Sequence, residues 1–150
     1  MLLNIDDCSE SSKHPIIVAR QKGESTEFQL NNPNRRLILK IKVDECPIMQ
    51  DSNDIRPKCC DYVFEIDTPM IKAVYVELKG GHISDGLKQI NSTLDLFKTR
   101  HHKIDKECHI VATRVAQPKT DSSRQRQEAR LRKIYNLTAK ISTQKHTIQI

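Results

Sequence analysis

Residues 58–81, KCCDYVFEIDTPMIKAVYVELKGG, constrain the fold of this chain more than any other stretch. Two runs rich in β-branched and aromatic residues, Tyr62-Val63-Phe64-Glu65-Ile66 and Ala73-Val74-Tyr75-Val76-Glu77-Leu78-Lys79, flank Asp67-Thr68-Pro69. Such runs favour strands, the Asp and Pro supply turn chemistry, and Gly80-Gly81 closes the second run. The pattern predicts two neighbouring strands joined by a turn. Side chains alternate along a strand, so Glu77 and Lys79 share one face while Val76 and Leu78 share the other. Asp61 opens the first strand. An acid and a base on one strand end, with a second acid one strand over, suit a divalent cation with a lysine beside it. Glu65 and Asp67 are expected to face solvent, and Asp44 to be a turn acid.

The flanking sequence supplies further elements. Residues 35–43 alternate, with Leu37, Leu39, Ile41 and Val43 on one face and Arg36, Ile38, Lys40 and Lys42 on the other, which predicts a half-buried strand. With the two strands above it forms an antiparallel meander. Ser84 followed by Asp85 predicts a helix start, and Leu87, Ile90, Leu94 and Phe97 make an amphipathic stripe ending near Thr99. Residues 99–106 read as a polar loop and residues 108–115 as a strand, parallel to the Glu77 strand because a helix separates them. Residues 118–123 read as a linker. A second helix is expected over 123–136, capped by Asp121 or Ser122 and rich in Arg and Lys. Residues 137–142 and 146–150 alternate like a terminal strand or hairpin. In residues 1–27 only Pro15-Ile16-Ile17-Val18-Ala19 is apolar enough for a strand or short helix, and part of this segment is expected to be loosely held.

At 150 residues the chain suits one domain with one core. No apolar run reaches the length of a membrane span, and residues 1–7 lack the basic and apolar regions of a signal peptide, so a cytoplasmic protein is expected. The net charge of +6 and pI near 9.1 favour polyanionic partners. The five cysteines, Cys8, Cys46, Cys59, Cys60 and Cys108, show no C-x-x-C spacing and read as reduced, mostly buried thiols. His101 and His102 lie near Cys108 and His109 in sequence, which makes a metal cluster conceivable, although a polar loop is the plainer reading.

Asp61 followed by Glu77-Leu78-Lys79 resembles the active-site pattern of the PD-(D/E)XK nuclease superfamily, which includes restriction endonucleases and Holliday junction resolvases. The resemblance spans residues 35–115. It implies a single α/β domain with a central mixed β-sheet flanked by helices. It also implies that Asp61, Glu77 and the Leu78 carbonyl hold Mg²⁺ or Mn²⁺, and that Lys79 serves the attacking water. A polar residue, often glutamine, stands on the helix after the lysine strand in many members, and Gln89 matches it. Cys60 rather than proline precedes Asp61, and Thr93 stands where some members have tyrosine. Glu10, Glu24 and Glu27 remain open for the acid that many members carry on an N-terminal helix. The implied activity is hydrolysis of DNA phosphodiester bonds, in genome defence or repair, by a homodimer or a chain with a partner protein. The same chemistry would act on RNA. The rival reading is a non-catalytic subunit of nuclease-like fold that binds nucleic acid or a partner protein.

Overall fold

The computed structural model describes residues 5–46, 58–67, 70–79, 82–114 and 120–150, with Lys79 described by its backbone alone. After a 3-10 turn at Asp6–Cys8, the chain forms β1 (Ser9–Ser12), β2 (Ile16–Arg20), β3 (Glu27–Asn31), β4 (Ile38–Lys42), β5 (Tyr62–Ile66) and β6 (Lys72–Lys79). Helix α1 (Ile83–Leu96), β7 (Asp105–Ala112), α2 (Ser122–Tyr135), β8 (Ala139–Thr143) and β9 (Lys145–Gln149) follow. The result is an α/β domain built on a mixed six-stranded sheet, ordered β1-β4-β5-β6-β7-β8, and a three-stranded sheet, β2-β3-β9. No helix among the described residues is long and apolar enough to cross a membrane.

The expected meander is present, with β4, β5 and β6 antiparallel in sequence order. So is the crossover: β6 runs parallel to β7 over eight residue pairs, Lys72 opposite Asp105 through Lys79 opposite Ala112. Strand β7 therefore starts three residues before the expected run, inside what reads as a polar loop. Glu107 is held there by Lys72, 2.5 Å away on the neighbouring strand. The parallel pairing continues through α2 into β8.

The core has two layers. On one face of the large sheet, Ile83, Leu87, Ile90 and Leu94 of α1 and Leu131 of α2 pack on Val63, Tyr75 and Ile110. On the other face, Phe28 and Leu30 of the small sheet pack on Phe64, Val74, Val76 and Val111. This second layer explains why β4 is not half-buried: Ile38 is fully buried on the face that alternation assigned to polar residues. The strand is also shorter than expected. Residues 33–34 form a turn closed by the Arg35 amide on the Asn32 carbonyl, Asn32 accepts from the Arg36 amide through its side chain, and Arg35 is left-handed at φ 49, so 35–37 lie outside the strand.

Both ends of the chain differ from expectation. Strand β1 pairs with β4, and β2 pairs with β3, so the described part of the N-terminal segment is held in both sheets. Strands β8 and β9 do not form a hairpin. Gln144 turns the chain at φ 64, its amide bonds the Ala112 carbonyl, and β9 crosses to pair parallel with β3. Helix α1 starts at Ile83, with His82 rather than Ser84 at the cap position and Ser84 buried in the first turn. It ends at Leu96. Helix α2 is capped as expected by Asp121, which accepts from the Arg124 amide, and stops at the left-handed Asn136.

Cys8 and Cys46 form a disulfide, which corrects the expectation of five free thiols. Pairing β1 with β4 brings the two positions together across 38 residues of sequence. Cys59, Cys60 and Cys108 are buried thiols outside any disulfide, as expected.

Candidate active site

Asp61 precedes β5 and Glu77 lies near the end of the adjacent, antiparallel β6, so their Cα positions meet at one edge of the sheet. The carboxyl ends of β6, β7 and β8 share that edge because the three strands are parallel. Ligand clefts of open α/β sheets form at such an edge. Pairing between the strands fixes the two acids: the Asp61 amide donates to Oε1 of Glu77 at 3.2 Å, and the Leu78 amide donates to Oδ2 of Asp61 at 2.8 Å. The sequence-predicted trio is thus tied together at Asp61, Glu77 and the Leu78 backbone. The side chain of Lys79 and the residues 68–69 and 80–81 lie outside the described residues.

Both acids are nearly enclosed, with Asp61 at 7% and Glu77 at 2% exposure. Burial pushes the Asp61 carboxyl above its ordinary value, against the opposing hydrogen bonds from Leu78, Glu77 and Gln21. A desolvated carboxylate beside a second acid is a place where a divalent cation is favourable, and each bonded oxygen keeps a second lone pair for it. The pair fits a small oxygen-seeking ion on these grounds. Lys42 pairs with Glu45 at 3.0 Å, and its ammonium is held above its usual value by that bond and, more weakly, by the field of Asp61.

Helix α1 lies directly over Glu77. A Cβ placed on Gly86 would stand 3.4 Å from Cγ of Glu77 and 3.3 Å from Cδ1 of Ile110. One turn and two turns further, Gln89 and Thr93 share that side of the helix. The Thr93 hydroxyl donates to the Gln89 carbonyl and accepts from the Cys60 amide at 2.8 Å. Gln89 is half-buried between these two anchors.

Two of the residues that shape the site were not anticipated. Gln21, in the loop between β2 and β3, donates from Nε2 to Oδ1 of Asp61 at 2.5 Å across 40 residues of sequence. Nothing in its polar surroundings marks it. Gly86 did carry a signal, a glycine inside a helical stripe, which usually has a packing reason.

The remaining expectations divide. Glu65 does not face solvent: it is 3% exposed and takes two hydrogen bonds from Arg100 and one from His101. It points into the α1 face, where polar partners from the segment after α1 replace water. Asp67 is half-buried and Asp44 lies in a turn. His101 is fully buried, bonded to Glu65 and the Tyr75 hydroxyl, and stacks on Phe97 at 5.0 Å. Among the described residues, no three His, Cys, Asp or Glu side chains gather as a metal cluster, so the histidine–cysteine grouping near Cys108 does not form. No helix carries Glu10, Glu24 or Glu27. Glu10 lies on β1, Glu24 in a loop, and Glu27 on β3, where it pairs with Arg20 and Lys145.

Compared with known protein families, curated proteins and solved structures, the chain matches none of them.

Proposed function

We propose that the chain is a metal-dependent nuclease of the PD-(D/E)XK type that hydrolyses phosphodiester bonds of DNA. The observation that supports this most is the mutual hydrogen bonding of the Asp61 and Glu77 segments at the carboxyl edge of β6 and β7. Asp61, Glu77 and the Leu78 carbonyl would hold Mg²⁺ or Mn²⁺, which supplies charge neutralisation at a phosphoryl oxygen and a more acidic bound water. Asp61 and Glu77 orient that centre. Lys79 holds or withdraws a proton at the attacking oxygen and balances the charge that develops on the phosphoryl group. Gln89 orients the same water from α1. The setting in this reading is genome defence or repair, with duplex DNA as substrate and a homodimer as the form that cuts both strands.

A second reading draws on the small exposure of both acids. A nuclease-like subunit that binds nucleic acid or a partner protein would keep Asp61 and Glu77 as structural hydrogen-bonding groups. One experiment separates the two. Supercoiled plasmid, linear duplex, branched DNA and RNA are incubated with Mg²⁺ or Mn²⁺ and with wild-type, Glu77→Gln or Lys79→Ala protein. Metal-dependent cutting by the wild type alone supports the nuclease. Equal cutting by all three exposes a contaminant and removes the site assignment, and no cutting of any substrate favours the binding subunit.

A further inference from the structure

Residues 120–150 hold seven Lys and Arg against two acids, Asp121 and Glu128, and so carry five of the six net positive charges of the chain. This imbalance is concentrated on α2. The helix buries little: only Arg124 and Leu131 are enclosed. Polar contacts hold it to α1, with Arg130 bonding Asn91 and Asp95, and Asn91 bonding Gln127. Arg124 is neutralised by Glu128 at 2.6 Å. Arg126, Arg132 and Lys133 are exposed. No described acid pairs with any of these three, although unpaired cations on one helix repel each other.

We infer that the exposed side of α2 carrying Arg126, Arg132 and Lys133 is the surface that grips the phosphate backbone of duplex DNA. The inference deepens the nuclease reading and rests on its choice of partner. The geometry suits a backbone. Arg126 and Lys133 are seven residues apart on one helix side, about 10 Å along the axis, so their long side chains can reach separate phosphates of one strand. The surface offers cations and no aromatic platform, so it positions the duplex without reading its sequence. Helix α1 links it to the acids: α1 contacts α2 through Asn91 and overlies Glu77 through Gly86. A duplex on α2 therefore lies one helix away from the candidate active site.

The test is fluorescence anisotropy of a labelled 20-base-pair duplex of mixed sequence, in EDTA, over a series of NaCl concentrations. The full chain is compared with Arg126→Gln/Arg132→Gln/Lys133→Gln and with a control that loses the same charge elsewhere, Lys13→Gln/Lys98→Gln/Lys103→Gln. Each phosphate contact adds about 0.9 to the salt slope, so the α2 variant should lose about 2 to 3 from it and bind more than tenfold more weakly. The control should retain the wild-type slope. Equal effects in both variants, or no binding by the wild type, overturn the inference. If the triple variant does not fold, the three single substitutions are measured, each expected to remove about 0.9 from the slope. Binding in EDTA is independent of cutting. Normal α2-dependent binding without any nuclease activity would sink the catalytic reading alone, and cutting by a protein whose binding ignores α2 would sink this inference alone.

Discussion

Nε2 of His101 lies 2.6 Å from Oε2 of Glu65 in a part of the core where the histidine has no exposed surface. Arg100 grips the same carboxylate through two nitrogens, and the Tyr75 hydroxyl meets the other nitrogen of the ring. Burial alone would push the Glu65 carboxyl up, but the bonds from Arg100 and His101 prevail and hold it at about 2, against an ordinary 4.5. A carboxylate held below its unfolded value stabilises the fold above that value and loses the contribution as pH falls through the folded one. The shift corresponds to about 3 kcal/mol at neutral pH, of which about 2 kcal/mol is gone by pH 3. Urea unfolding of Glu65→Gln should show a deficit of about 3 kcal/mol at pH 7 that shrinks to about 1 kcal/mol at pH 3. A deficit independent of pH would show that the charge of Glu65 contributes nothing.

Gly86 separates the stability of α1 from the position of Glu77. Alanine there gains helix propensity of roughly 1 kcal/mol, but its Cβ presses on Glu77 Cγ and Ile110 Cδ1, both parts of side chains that can shift. Thermal stability of Gly86→Ala should stay within about 1 kcal/mol of the wild type. Ile110 Cδ1, the tighter contact, would give by a few tenths of an ångström while Glu77 Cγ stands at the edge of ordinary contact, and metal-dependent cutting should fall by a few-fold. Full activity in a folded Gly86→Ala protein would mean that this contact does not set the position of Glu77.

How much of this was legible depended on the range of the interactions. The meander, the crossover and both helices rest on local periodicity, and those appear close to the expected boundaries. The small sheet was missed because Glu27 to Asn31 gains its partners from β2 and from β9, which is more than 110 residues away in sequence. For the same reason Ile38 looked misplaced on a polar face, since the layer that buries it is remote in the chain. Glu65 was misread because a charged residue in a strand implies solvent unless its partners are known, and Arg100 and His101 lie beyond a whole helix. Asp61 and Glu77 were readable because strand alternation and a short connection bring them together. The bond from Gln21 to Asp61 had no such local trace.

The disulfide joins the segment before β1 to the residue that follows the β4 turn, closing a loop of 38 residues. Cross-linking a loop of that size restricts the unfolded chain by about 4 kcal/mol in the chain-entropy picture. Thiol titration in denaturant should find three reactive groups before reduction and five after it. Cys8→Ser/Cys46→Ser should lose a few kcal/mol of stability under oxidising conditions and match the reduced wild type under reducing ones. Five thiols in unreduced protein would show that the bond does not form.

Asp61 sets function against stability. Its carboxyl is buried beside another acid and held above its ordinary value, so ionising it at neutral pH is unfavourable to the fold. A group raised in this way favours the folded state at low pH and ceases to do so as pH rises through its folded value. Asparagine keeps the shape and one acceptor for the Leu78 amide, while its amide can donate toward Glu77 or to a flipped Gln21. Asp61→Asn should therefore be as stable as the wild type at pH 7 or more stable, by up to about 1 kcal/mol. It should also lose the charge needed to hold a cation, with cutting reduced at least a hundredfold and Mn²⁺ binding weakened in a direct titration. Calorimetric melts at pH 5 and pH 7, run beside the plasmid assay, test both halves. A variant destabilised by several kcal/mol would mark Asp61 as a structural acid and favour the binding-subunit reading. A stable variant that still cuts would remove Asp61 from the active site.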